Sequence, residues 1–288
     1  MRVNRAIELL EAGQPIYYDT VRTLSYEHGL EQAGTWADYL NIELEHHPFA
    51  PHLLHQFMRG LIDGGPTRSG HRTPAAIVTM PFDAVDEAAV RANSWMIKQV
   101  LAAGVHGMLA CHVESPAAVK AFVEGARFAY QTLGVGEGLS QGRRGAGGQA
   151  LSAEFWGLSV DAYLECTDVW PLNPKGELML GLKIENRRAL ANVEASMAVP
   201  GVAFAEWGPG DMGMTFGHKE AHDPPYPPEM LDARTRVKAA CDQNGVAFLD
   251  IVRPANVVAQ LEDGVRLGSA TEEAAVIGRA HTGRTMPS

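Results

Sequence analysis

Short runs of apolar and β-branched residues alternate with amphipathic stretches along the whole chain, a pattern typical of βα units around a parallel sheet. Eight runs are predicted to be strands: Pro15–Thr20, Tyr39–Glu43, Ala75–Met80, Gly107–Cys111, Leu178–Glu185, Val202–Glu206, Val246–Asp250 and Val265–Gly268. Eight strands with intervening helices predict an α/β fold, a (β/α)8 TIM barrel that forms a single domain over residues 1–288. The alternative is an open doubly wound sheet, but no G-x-G-x-x-G follows a strand.

The amphipathic stretches predict helices that begin near proline and end at glycine, the usual start and stop signals. The clearest are Glu87–Ala103, Pro116–Thr132, Arg187–Met197, Pro228–Asn244 and Pro254–Glu262. An enlarged glycine-rich loop at 132–149 interrupts the alternation of predicted strands and helices, and it contains Arg143 and Arg144. It is either a mobile surface loop, or a lid or subunit-contact loop whose arginines meet an anionic substrate.

The composition of the chain limits which partners and which cellular compartment we expect for the protein. The formal net charge of −10 argues against nucleic acid or an anionic membrane surface as a partner. Three scattered cysteines without a C-x-x-C pair suit a reducing cytoplasm and exclude a disulfide scaffold. No apolar run approaches the ~18 residues of a membrane span, and the charged first ten residues predict an amphipathic helix, not a secretory signal. We therefore expect a cytoplasmic protein.

Two carboxylates are predicted to lie where barrel strands end, and TIM barrels take their catalytic groups from that edge. Glu185 closes one apolar run, and Asp211 follows the Gly-Pro-Gly turn after another. Two such carboxylates predict a divalent metal site, for magnesium or manganese, with cobalt as a further candidate. Lys183 shares a face with Glu185, so it either pairs with Glu185 or binds a substrate carboxylate. The glycines of the turn can aim backbone N–H groups, including that of Gly210, at an anion.

Histidines follow two other predicted strands. In I-E-L-E-H-H-P, alternation along the strand places Glu43 and Glu45 on one face, and His46 lies in the turn that follows the strand. A carboxylate beside an imidazole raises its basicity, as a general base requires. His112, after Cys111, is either an acid/base or outer-shell group or a packed histidine.

These motifs resemble those of the HpcH/HpaI aldolases, the metal-dependent (class II) pyruvate aldolases with a TIM-barrel fold. I-E-L-E-H-H-P resembles the family's I-D-x-E-H-x-P, L-K-I-E-N-R its metal-ligand strand, and W-G-P-G-D-M its G-P-A-D-L. Further matches lie at Met96–Gly104 and Phe155–Tyr163. The resemblance implies that His46 is the catalytic base, that Glu43 is its acidic partner, and that Glu185 and Asp211 bind the metal.

The chain departs from the family pattern at positions that carry charge. V-T-M-P places Thr79 or Met80 where the family has an arginine that holds the pyruvate oxygens, and Lys183 stands for a glutamine. Lys183 or Arg144 could supply the lost positive charge. The predicted substrate contacts are therefore Gly210, Asp211, Lys183, Thr79 and Arg144.

Together these features predict an aldehyde-lyase, a metal-dependent carbon–carbon lyase that cleaves or forms a 2-oxo acid aldol through a metal-stabilised enolate. The alternatives are related enolate chemistry such as oxaloacetate decarboxylation, a hydrolase- or isomerase-type step on another substrate, or a binding module without turnover. By analogy with the family we expect a homo-oligomer, a hexamer.

Overall fold

A closed barrel of eight parallel strands forms the centre of the protein, whose computed structural model describes residues 1–287. The chain has nine strands, β1 Ile16–Val21, β2 Tyr39–Glu43, β3 Ala75–Asp83, β4 Gly107–Cys111, β5 Val169–Trp170, β6 Leu178–Lys183, β7 Phe204–Glu206, β8 Ala247–Ile251 and β9 Leu267–Ser269, and all of them except β5 form the closed ring, as far as residues 1–287 are described. Strand β1 pairs with β2 and β9, and β4 pairs with β6, which closes the ring. The predicted TIM barrel and its eight strands are confirmed. The two-residue β5, which pairs with β6, was not predicted.

Helices connect the strands on the outside of the barrel. They are α1 Arg5–Glu11, α2 Tyr26–Gln32, α3 Pro51–Asp63, α4 Glu87–Ala92, α5 Ser94–Ala102, α6 Pro116–Ala126, α7 Gln149–Trp156, α8 Val160–Cys166, α9 Arg187–Ala191, α10 Val193–Met197, α11 Pro209–Phe216, α12 Pro228–Asn244, α13 Val257–Glu262 and α14 Glu272–His281. Two predicted helices are each broken at an asparagine, Asn93 and Asn192, whose ψ lies near 10°. No helix between residues 1 and 287 combines the length and apolarity needed to cross a membrane.

Alternation along the strands creates two separate apolar layers. The layer inside the barrel contains Ile16, Tyr39, Ile77, Leu109, Met179, Phe204, Leu249 and Leu267, together with Ile7 of α1. Asn4, which caps α1, donates to the carbonyls of His106 and Glu177, which precede β4 and β6. Helix α1 therefore closes the N-terminal end of the barrel. The C-terminal ends of the strands remain available for a site.

The glycine-rich loop lies at the closed N-terminal end, because α6 runs back from the end of β4 and stops at Ala126. Arg144 is buried there: it donates to the Tyr163 hydroxyl at 2.7 Å and to Thr167 Oγ1 at 3.1 Å. Its guanidinium also stacks over the Phe128 ring at 4.5 Å. The side chain thus joins the loop to α8, at the end of the barrel opposite to Glu185, and its predicted contact with substrate stays a prediction that these contacts do not support.

Candidate metal and substrate site

A cavity of about 570 Å³ opens where the barrel strands end. Its lining includes most of the residues that the sequence singled out: His46, Lys183, Glu185, Gly210 and Asp211, together with Glu206. These side chains come from segments far apart in the chain. The closure of the barrel brings β2, β6 and β7 to the same end.

Four potential metal ligands meet at this cavity. Glu45, His112, Glu185 and Asp211 each offer an atom, and these atoms all lie within 4.8 Å of one another. Glu185 and Asp211 were predicted as ligands, whereas Glu45 and His112 were not. The strand-end position of both missed residues was visible in the sequence, but their proximity to Glu185 depends on the order of strands around the ring.

Glu185 is the most deeply buried of the four, with a side chain that is fully inaccessible. Its Oε1 accepts the backbone N–H of His112 at 2.7 Å, while its Oε2 accepts no hydrogen bond and has the Lys183 ammonium as an ion-pair partner at 3.2 Å. Burial raises the pKa of Glu185, and the nearby ammonium of Lys183 only partly opposes that rise. This carboxylate therefore requires a positive partner to hold its charge in the barrel.

Lys183, the last residue of β6, supplies one such charge. Its Nζ lies 2.6 Å from Glu45 Oε2 and 3.2 Å from Glu185 Oε2. Burial would lower the pKa of Lys183, but the carboxylates of Glu185, Glu206 and Glu45 raise it overall. The ammonium in turn lowers the pKa of Glu45 in spite of the burial of that carboxyl group.

His112 occupies a left-handed backbone conformation, with a φ of 46°, which is uncommon for a residue that is not glycine. This conformation turns its N–H toward Glu185 and its ring toward two carboxylates. Nδ1 lies 3.5 Å from Glu185 Oε1, and Nε2 lies 3.5 Å from Glu45 Oε1. The imidazole is therefore part of the carboxylate cluster, and the interpretation as a merely packed histidine does not describe it.

Asp211 belongs to the first turn of α11, where a glycine-containing turn was expected. Gly208 caps this helix with a φ of 50°, and Pro209 fills its first position. The N–H groups of Gly210 and Asp211 belong to the first turn, so they lack acceptors within the helix. An anion at this end of the cavity would meet those donors and the positive end of the helix dipole.

Glu43 and His46 have a different relationship from the one predicted. Glu43 Oε1 accepts the backbone N–H groups of Glu45 at 2.7 Å and His46 at 3.1 Å, which fixes the turn after β2. The His46 ring is 66% exposed, and the carboxylate beside it is that of Glu45, at 3.6 Å from Nε2. Glu43 thus holds the backbone of the turn, and Glu45 is the acidic neighbour of the imidazole.

Two further interior residues lie near the cluster. Thr79 is buried and donates to Asn41 Oδ1 at 2.9 Å, and its predicted contact with substrate stays a prediction. Glu206, which pairs in register with Lys183, lines the cavity and was not predicted. Burial, together with Glu185 and Glu45 and against the pull of Lys183, raises the pKa of Glu206 to about 7.

Comparison with known families agrees with this geometry. The family model for HpcH/HpaI aldolase/citrate lyase matches residues 70–275. The chain belongs to this family. The matched range includes His112, Lys183, Glu185 and Asp211, and begins after the turn that contains Glu45 and His46.

Curated relatives include hydroxypyruvate/pyruvate aldolases. The protein of Pseudomonas aeruginosa is 30% identical over 162 residues, which cover 56% of this chain and 54% of that protein. The protein of Paraburkholderia phytofirmans is 28% identical over 214 residues, which cover 73% of this chain and 68% of that protein. The aligned part thus spans about half the length of the first relative and two thirds of the second.

A solved structure supports the fold independently. An HpcH/HpaI aldolase/citrate lyase family protein from Burkholderia cenocepacia superposes with a TM-score of 0.71 at 22% identity, covering 96% of each chain. At this level of identity the likeness concerns the barrel and its connections.

Proposed function

We propose that the protein is an aldehyde-lyase that uses a divalent metal ion to cleave or form the carbon–carbon bond of a 2-oxo acid aldol. The observation that carries the proposal is the cluster of Glu45, His112, Glu185 and Asp211 at the open end of the barrel. Family membership adds the reaction class, and the relatives named hydroxypyruvate/pyruvate aldolase indicate pyruvate and hydroxypyruvate as the donors to test.

The chemistry of the cluster fits a divalent cation. Glu45 Oε1 and Glu185 Oε2 are buried and accept no hydrogen bond, and their polar neighbours include His112 Nε2 at 3.5 Å and the Lys183 ammonium at 3.2 Å, respectively. Leaving such oxygens without a partner is costly, and a hard cation bound by oxygen atoms would satisfy both the charge and the lone pairs. We propose Glu185 and Asp211 as the main ligands and magnesium or manganese as the ion, with cobalt as a further candidate. When bound, the ion supplies positive charge that stabilises an enolate.

Residues of the chain bind the substrate and transfer the proton. The N–H groups of Gly210 and Asp211 bind the substrate carboxylate, and Lys183 adds positive charge to the same cavity. His46 faces the cavity with an accessible imidazole and takes the proton from the aldol hydroxyl. The carbon–carbon bond then breaks, the hydroxyl carbon leaves as an aldehyde, and the electron pair stays on the 2-oxo acid as its enolate. Protonation of the enolate at the carbon that was bonded to the aldehyde completes the 2-oxo acid.

The deciding experiment measures release of pyruvate from a 4-hydroxy-2-oxo acid after EDTA treatment and after addition of Mn²⁺ or Mg²⁺. We expect metal to restore activity in the unmodified protein and Glu185→Gln to abolish it. Glu194→Gln is the control, because that exposed carboxylate pairs with Arg236 on the outer helices. Activity that survives EDTA, or that Glu185→Gln retains, would contradict the proposal. Oxaloacetate decarboxylation is assayed in parallel as the alternative reaction, and size-exclusion chromatography tests the expected hexamer.

A further inference from the structure

Part of the candidate metal site is already in contact with a cation that belongs to the chain. The Lys183 ammonium touches two of the four clustered groups, Glu45 at 2.6 Å and Glu185 at 3.2 Å. Both contacts are largely buried, since the side chains of Lys183 and Glu45 are 12% and 7% exposed. At such distances and such burial a unit charge interacts strongly with any second cation in the cluster.

The fold keeps this ammonium in place. Alternation along β6 turns Lys183 into the barrel above Gly181, and its register partner on β7 is Glu206, whose carboxylate also raises the pKa of Lys183. The ammonium therefore faces carboxylates that come from three sides: after β2, after β6 and at the end of β7. Moving the side chain out of this position would break the ion pairs with Glu45 and Glu185.

We propose that Lys183 acts as a tethered cation that sets the metal affinity of the cluster and retains Glu45 as its own partner. The three carboxylates among the four clustered groups, Glu45, Glu185 and Asp211, carry three negative charges, and the ammonium cancels one of them. Glu206 also faces the ammonium but is not one of the four clustered groups. The remaining two charges match a divalent ion. The number of uncompensated carboxylates is a main determinant of affinity at oxygen-ligand sites, so the ammonium weakens binding and favours Glu185 and Asp211 as ligands.

This inference rests on the metal site of the proposed function, and its test measures metal binding directly. Isothermal titration of the EDTA-treated, full-length protein with Mn²⁺ gives the Kd of the unmodified chain and of three variants. Lys183→Gln and Lys183→Met both remove the charge but differ in polarity, and Lys183→Arg keeps it. We expect the two neutral variants to bind Mn²⁺ at least about ten-fold tighter than the unmodified protein, and Lys183→Arg to stay within about three-fold of it.

Circular dichroism identifies which variants are folded, and either neutral variant is sufficient to decide the question. Unchanged or weaker Mn²⁺ binding in a folded neutral variant overturns the inference. Tighter binding in Lys183→Arg as well would overturn it too, because side-chain shape and not charge would then control affinity. Pyruvate release by the unmodified protein is assayed separately. If the neutral variants bind Mn²⁺ tighter but the unmodified protein releases no pyruvate, the proposed function is wrong and the role of Lys183 holds. If the unmodified protein releases pyruvate with metal but the neutral variants have an unaltered Kd for Mn²⁺, the proposed function holds and the role of Lys183 is wrong.

Discussion

Gly208 lies so close to Glu185 that a Cβ at position 208 would stand 2.4 Å from the Glu185 Cβ and 2.8 Å from its Oε2. Gly208 also has a φ of 50°, so two separate constraints require glycine there. The contact joins the segment after β7 to the segment after β6. It thereby fixes the distance between Glu185 and the helix that carries Asp211.

Gly208→Ala should therefore damage the metal cluster as well as the fold. We expect Mn²⁺ affinity to fall at least about ten-fold and the free energy of unfolding to drop by about 2 kcal/mol or more, through left-handed strain and the clash together. Gly217→Ala is the matched control at the other end of α11, where φ is 92° and no atom lies within 4 Å of the added Cβ. That control should lose only about 1 kcal/mol and bind metal normally. Equal effects of the two substitutions on the Kd would refute the structural link to Glu185.

Glu43 provides a second test, because its carboxylate holds backbone N–H groups and does not contact the His46 ring. Glu43→Gln keeps an oxygen acceptor for the N–H groups of Glu45 and His46, whereas Glu43→Ala removes it. If Glu43 works by fixing the turn, kcat for pyruvate release should stay within about three-fold in the glutamine variant and fall at least about ten-fold in the alanine variant. Comparable losses in both variants would instead favour the predicted electrostatic pairing of Glu43 with the imidazole.

Arg144 and Arg143 are adjacent, yet we expect opposite consequences from their loss. Arg144 is buried with two hydrogen bonds and a ring contact, while the Arg143 side chain is 59% exposed. Arg144→Met should lower the free energy of unfolding by about 2–3 kcal/mol, and Arg143→Met by less than about 0.5 kcal/mol. Urea titrations measure both values. Neither variant should change KM, because both residues lie at the closed end of the barrel; a raised KM in folded Arg144→Met would reinstate its predicted role with substrate.

The strands could be predicted because short apolar and β-branched runs, bounded by amphipathic stretches, can be recognised without knowledge of the tertiary structure. The same pattern placed Lys183, Glu185 and Asp211 at strand ends, and these three do meet in the cavity. Partners across the ring could not be predicted in this way. The contact of Glu45 with Lys183 joins positions 138 residues apart and exists only because the barrel closes.

Local sequence signals did not fix the structure of two segments. The glycine-rich loop was expected to be either a mobile surface loop, or a lid or subunit-contact loop whose arginines meet substrate. In the structure α6 ends at Ala126, where Arg127 adopts an extended backbone and pairs with Asp168. This buried ion pair directs the loop along the N-terminal end of the barrel. The Gly-Pro-Gly segment was expected to be a turn, yet it begins α11, because proline is well suited to a first helical turn.

The buried His106 should make the free energy of unfolding depend on pH. Its Nδ1 accepts the N–H of Ala76 at 3.1 Å, its ring stacks on Trp156, and burial lowers its pKa to about 3. An unfolded chain protonates this histidine near pH ~6.5, so the unfolded state binds more protons between the two values, and stability is lost as the pH falls through that range. Between about pH 7.5 and about pH 5 this group should reduce the free energy of unfolding by about 2 kcal/mol.

His106→Asn isolates that contribution, because its Oδ1 can accept the same N–H but cannot be protonated in this range. Other histidines, among them His71 with a pKa also lowered by burial, titrate equally in both proteins. Urea unfolding at the two pH values should show a lower stability for the variant at the higher pH and a dependence on pH that is flatter by about 2 kcal/mol. Identical slopes in the two proteins would mean that His106 is protonated in the folded state, and its hydrogen bond to Ala76 would then have to be reassigned.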